Sequence, residues 1–128
     1  MLTGAIFICL ALSVYDGDGP IKCQLDDSST VKIRLWGVDA PEMACRRKRY
    51  SSLTAYYACF DKTAAKASRD NLRTLSVGKR LHCTKKHNSH DRVVAKCVVG
   101  NQDLACEQVK AGHAVDWPKY SKGYYSQC

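Results

Sequence analysis

Five short apolar runs with strand periodicity, one long helical stretch between the third and the fourth, and tight polar turns predict an α+β fold that is mainly β. Five strands with an intervening helix close into the barrel of an OB-fold, with two or three helices packed on it. The 128 residues make one such domain, and no linker, repeat or low-complexity segment divides them.

The first strand is the apolar run 2–14, which leads without a break into a turn. It is too short to span a bilayer, and no Lys or Arg precedes it as in an export leader. Cleavage after Ser13 would remove Cys9 and leave an odd thiol, so a leader would belong upstream of Met1. Tyr15-Asp16-Gly17-Asp18-Gly19-Pro20 is a turn by its chemistry, with Asp-Gly repeated and then Pro. Ile21 to Leu25 is the second strand, Asp26 to Ser29 a polar turn, and Val31 to Trp36 the third strand. Gly37 suggests a bulge or sharp bend, and Pro41 ends any ladder because it has no N–H to donate.

Glu42 to Asp61 reads as irregular. Lys62 to Val77 is the clearest helix, with Ala64, Ala65, Ala67, Leu72 and Leu75 on one stripe, Asp61 or Thr63 as cap and Gly78 as terminator. Arg80 to Lys86 and Arg92 to Val99 are strands flanking a hairpin turn at residues 87–91. Asp103 to Ala111 is a short helix capped by Asp103 and ended by Gly112. Val115 to Cys128 reads as a tail pinned by Cys128.

The net charge of +8 points to a polyanionic partner. Arg46-Arg47-Lys48-Arg49 is ordinarily a solvated loop, and beside a phosphate site it would also draw in a polyanion. The eight cysteines form no C-x-x-C pair, so they read as disulfides of an oxidising compartment, secreted or periplasmic. Cys9 and Cys23 are symmetric about the Asp16-Gly17 turn, and Cys83 and Cys97 about His90, so each pair should face across a hairpin. For the remainder, Cys45–Cys59 and Cys106–Cys128 are the simplest pairing. A loop of about 15 residues contributes ~3 kcal/mol in the chain-entropy view.

The chemistry gathers at strand ends. Asp16 and Asp18 close the first strand and Asp39 follows the third. Neighbouring carboxylates repel unless a proton or cation lies between them. With no Cys or His beside them the donors are all oxygen, which suits Ca²⁺ or Mg²⁺. Arg34 and Arg92 could together grip a phosphodiester, and Glu42 could position or deprotonate a water. Taken singly, each of these residues has a plainer use, in shaping a turn or solvating a surface.

The stretches Asp16-Gly17-Asp18, Arg34-Leu35-Trp36-Gly37-Val38-Asp39-Ala40-Pro41-Glu42, and Arg92 followed by an apolar strand resemble the staphylococcal-nuclease-like, or thermonuclease, family. A weaker likeness lies in 100–114, and the whole extends from about Ser13 to Tyr120. The resemblance implies an OB-fold barrel and Ca²⁺-dependent hydrolysis of DNA and RNA. It also implies Asp18, Asp39 and the carbonyl of Ala40 as metal ligands and Asp16 as their support. Glu42 would act on the attacking water, and Arg34 and Arg92 on the phosphate. The chain departs from the family where Gly19-Pro20 replaces a Thr, and where His90-Asp91 replaces a Tyr-Gly before Arg92. His90 is therefore the candidate for the aromatic contact to substrate. Trp117 and Tyr120 could stack on a base, though packing is the commoner use of such aromatics. The cysteines look like the staple of a subgroup.

The reading is a nuclease of low sequence preference acting on DNA or RNA, monomeric and not inserted in a membrane. The alternatives are a catalytically weak or inactive nucleic-acid- or protein-binding module on the same fold, and a disulfide-stapled extracellular protein with a heparin-like or protein partner.

Overall fold

The computed structural model describes residues 1–128. In chain order the strands are β1 (Ile6–Val14), β2 (Ile21–Gln24), β3 (Thr30–Leu35), β4 (Val38–Asp39), β5 (Arg80–Ser89), β6 (Arg92–Val99), β7 (Gln102–Asp103) and β8 (Val115–Asp116). The helices are α1 (Leu53–Ala58), α2 (Thr63–Ser76), α3 (Leu104–Lys110) and α4 (Pro118–Ser121), with a 3₁₀ turn at Arg47–Arg49. No helix is long and apolar enough to cross a membrane.

Strands β1, β2 and β3 form an antiparallel meander, β5 pairs with β1, and β6 pairs with β5. β6 then runs parallel to β3, which closes a five-strand ring with the OB-like α+β character the sequence predicts. Alternation along β3 sends Ile33 and Leu35 into the core and leaves Arg34 on the other face. The β3–β6 pairing sets Arg34 opposite Val94, two residues from Arg92. Ring closure therefore brings the two arginines to one region from segments far apart in sequence.

Ile21, Ile33, Leu35, Leu72, Leu81 and Leu104 are fully buried inside the ring and beneath the helices. Each such side chain contributes about 2 kcal/mol by leaving water. α2 begins after Asp61, whose carboxylate accepts the Thr63 N–H at 3.0 Å. α3 is capped by Asp103, which accepts from the backbone of Ala105 at 3.0 Å and of Cys106 at 3.4 Å.

The four disulfides are Cys9–Cys23, Cys45–Cys59, Cys83–Cys97 and Cys106–Cys128, as the sequence suggests. Cys83 and Cys97 are directly opposed across β5–β6. Cys9 and Cys23 are not, since Cys23 registers with Ala11 and a bulge lies between Ala11 and Ser13. Both residues are buried in the core, so the bond joins diagonal neighbours.

Three expectations are corrected. The β5–β6 hairpin continues through Ser89 and resumes at Arg92, so its turn is shorter than residues 87–91. The stretch from Glu42 to Asp61 is not all irregular, because it holds the 3₁₀ turn and α1. Residues 115–128 are more than a pinned tail. β8 pairs with β4, and Tyr125 is buried with its hydroxyl donating to Asp103 at 3.0 Å. Gly37 makes this docking possible. It has φ 80°, and a Cβ there would press on Ser121 and the Tyr125 ring at 3.0 Å.

Candidate active site

The Asp16-Gly17-Asp18-Gly19 turn is fastened to the body of the protein at several points. The Leu35 N–H donates to the Asp18 carbonyl at 2.9 Å, which ties the turn to the end of β3. Buried Gln108 on α3 donates from Nε2 to the Gly17 carbonyl at 2.8 Å and to the Ser68 carbonyl at 2.9 Å. A side chain at Gly17 would overlap the Ser68 hydroxyl. Both helices thus back the turn through polar groups that are all satisfied, an arrangement that resists displacement. The sequence reading missed Ser68 and Gln108; a polar residue on the apolar face of each helix was the available signal.

Asp18 is buried, and its carboxylate Oδ2 accepts from the Ala40 N–H at 3.0 Å and from Arg34 Nη2 at 3.1 Å. The same Nη2 lies 3.8 Å from Asp39 Oδ1, so one guanidinium serves both carboxylates. Arg34 Nη1 donates to the carbonyls of Leu35 at 2.6 Å and Val38 at 3.0 Å, clamping the bend at Gly37. Burial pushes the Asp18 carboxyl up to about 6, against the pull of Arg34 and the Ala40 N–H and helped by Asp39 and Asp16. Asp16 accepts the Met43 N–H at 2.8 Å. Its carboxyl is also raised by burial, opposed by that hydrogen bond and then by Arg92, Lys62 and Arg49.

Glu42 sits beyond this corner, paired with Arg49 at 2.7 Å. One cleft is lined by Tyr15, Asp16, Glu42, Arg46, Arg49 and Arg92. Arg92 is part-exposed, and its one ion pair is a long contact of 4.0 Å to Asp91. A second pocket is lined by Arg34, Trp36, His87, Ser89, Trp117 and Tyr120. There the Arg34 guanidinium lies 5.2 Å from the Trp117 ring and His87 stacks on Tyr120 at 6.0 Å.

The structure therefore brings Asp16, Asp18, Arg34, Asp39 and Ala40 together, and sets Glu42 and Arg92 in the adjoining cleft with Asp16. Trp117 and Tyr120 line the other side of Arg34. His90 stands exposed at the hairpin tip with φ 56°, while His87 lines the aromatic pocket. His87 was hidden in the sequence by the assumption of a longer turn. Arg49 was hidden inside a charge run whose members looked equivalent.

No three His, Cys, Asp or Glu side chains converge as a metal cage. The donor chemistry nonetheless fits a hard divalent cation. A buried carboxyl held up near 6 faces a second carboxylate, and a cation between them would relieve the repulsion and draw Asp18 into its charged form. The Ala40 carbonyl accepts no hydrogen bond and remains free as a third oxygen donor.

A family model described as staphylococcal nuclease homologue matches residues 32–127. The match begins within β3, so it takes in Arg34, Asp39, Glu42 and Arg92 and leaves the Asp16–Asp18 turn just outside. No curated relative matches the chain.

Proposed function

The chain belongs to the staphylococcal nuclease homologue family, and on that premise we propose that it is a Ca²⁺-dependent phosphodiesterase cutting DNA or RNA with little sequence preference. The observation that carries the proposal is the Arg34 guanidinium 3.1 Å from buried Asp18 and 3.8 Å from Asp39, in the same turn region as Asp16, which lines the cleft holding Glu42 and Arg92.

Asp18, Asp39 and the Ala40 carbonyl would hold the ion, whose chemical contribution is to polarise the scissile phosphate. Arg34 and Arg92 grip the phosphate from two sides and stabilise the charge that grows on it. Glu42 holds the attacking water and takes its proton or orients it. Asp16 fixes the chain after Glu42 through the Met43 N–H. Trp117, Tyr120 and His87 offer aromatic faces to a base, and every base has such a face, so sequence is read weakly. His90, at the tip, is met by a strand that extends past that pocket. Every one of these groups comes from a single chain, so a monomer suffices. The four disulfides suit an oxidising compartment, and we place the protein outside the cell or in a periplasm.

One observation favours a second reading, a binding module without catalysis: Glu42 is already engaged by Arg49. An assay on denatured DNA separates the two. Cutting in millimolar Ca²⁺ that stops with chelator, and in Glu42→Ala or Arg92→Ala, supports the nuclease. Salt-sensitive binding without cutting supports the module.

A further inference from the structure

We propose that a groove running from the catalytic cleft across β2 and β3, with Lys22 and Lys32 on its floor, holds the sugar-phosphate backbone beyond the bond that is cut. This rests on the nuclease reading above. The groove is lined by Tyr15, Lys22, Lys32, Arg46 and Arg92. Tyr15, Arg46 and Arg92 also line the cleft that contains Asp16 and Glu42, so the two depressions are continuous.

The charges in the groove are placed at a cost to the fold. Lys22 and Lys32 are exposed and directly opposed across the β2–β3 ladder. Like charges so placed destabilise a sheet. Lys32 is relieved by Asp91 at 3.0 Å, whereas Lys22 and Arg46 enter no ion pair. An anion lying between the two strands would offset the repulsion, and the cleft beside it already addresses phosphate. At the junction stands Tyr15, with 54% of its surface exposed, an aromatic ring with no aromatic partner. A base next to the held backbone can stack on that ring.

The test uses Lys22→Ala/Lys32→Ala, two exposed changes, with Lys22→Ala alone as control because Lys32→Ala also frees Asp91 beside Arg92. Binding of a labelled single strand of about 10 nucleotides, within the usual site size of such folds, is measured against salt in a Glu42→Gln background. Loss of two phosphate contacts should flatten the slope of log K against log salt by about 1.4. In the active protein the pair should raise KM for denatured DNA roughly tenfold, with kcat unchanged. The rate on a one-nucleotide nitrophenyl phosphodiester, too short to enter the groove, should not move. Lys22→Arg/Lys32→Arg should restore the slope. An unchanged slope, or equal loss on the one-nucleotide substrate, would overturn the proposal. If the wild type cuts nothing with Ca²⁺ the nuclease reading fails, and the Glu42→Gln binding result is judged separately.

Discussion

The corner around Asp18 and the loop closed by Cys45–Cys59 stand side by side and are held by different forces. In the corner a buried carboxylate, an arginine with four backbone or carboxylate partners, and a turn backed by Gln108 interlock with the core. In the loop neither the 3₁₀ turn nor α1 buries a residue. The loop is held by its disulfide, by the Ser52 cap on Ala55 at 3.1 Å, and by aromatic contacts among Tyr50, Tyr56, Tyr57 and Phe60. The corner fixes where charges sit; the loop supplies positive charge, from Arg46 and Arg49, to the adjoining cleft.

The largest expected effect falls on the corner. Arg34→Ala leaves Asp18 buried without its cation, and urea unfolding should record a loss of about 3–5 kcal/mol. Adding Asp18→Asn should recover much of that stability without restoring cutting. If Arg34→Ala costs no more than an exposed arginine, the corner is not the interlocked unit described.

Next comes the loop's covalent tie. Replacing Cys45 and Cys59 by Ala should lower stability by roughly 3 kcal/mol in the chain-entropy view. The near-complete retention of ring-strand amide protection would show that the loss comes from the unfolded chain. Loss of protection in β3 or β6 would show instead that the loop props the ring.

A comparable effect is expected from pH in the absence of divalent ions. Asp18 has a folded carboxyl raised to about 6 from 3.8, so the folded state holds the extra proton between those values. Stability from this group is therefore present below about pH 4 and lost as pH rises through 6. The change is about 3 kcal/mol at one pKa unit per 1.4 kcal/mol. Asp16 acts in the same direction. The lowered carboxyls of Asp27, Asp61 and Asp91 act below the ordinary carboxylate range and leave this window clear. Urea unfolding at pH 4 and 7 should show the decline in the wild type and a much smaller one in Asp18→Asn.

The smallest effect belongs to the exposed ion pair. Arg49→Ala should change stability by less than about 1 kcal/mol, since Arg49 is 56% exposed. A larger loss would mean that the loop is structurally part of the corner.

The same contrast explains what could be read from the chain alone. The ring was legible because alternation, Asp-Gly turns and the cysteine symmetry are local signals, and each was reinforced by the next. The run from Arg34 to Glu42 was legible because Gly37 and Pro41 mark a bend between charged residues. α1 was not, because six residues are too few for a helical period to stand out, although Leu53, Tyr56 and Tyr57 keep that spacing. The burial of Tyr125 was not, because its partners Gly37 and Asp103 lie far away in sequence. The choice between His87 and His90 turned on where a hairpin ends, a boundary that polar strand residues such as Asn88 and Ser89 do not announce.

The most direct measurement is the Ca²⁺ dependence of strand cutting by wild type and Asp39→Asn, side by side on denatured DNA. Asp39 is half-exposed and sits at the rim, so its loss should leave the fold intact while moving half-saturation to at least about tenfold higher Ca²⁺, the worth of ~1.4 kcal/mol of ligand binding. Two superimposable curves, or cutting that persists with the ion chelated, would contradict an account in which two carboxylates hold the ion and two arginines the phosphate.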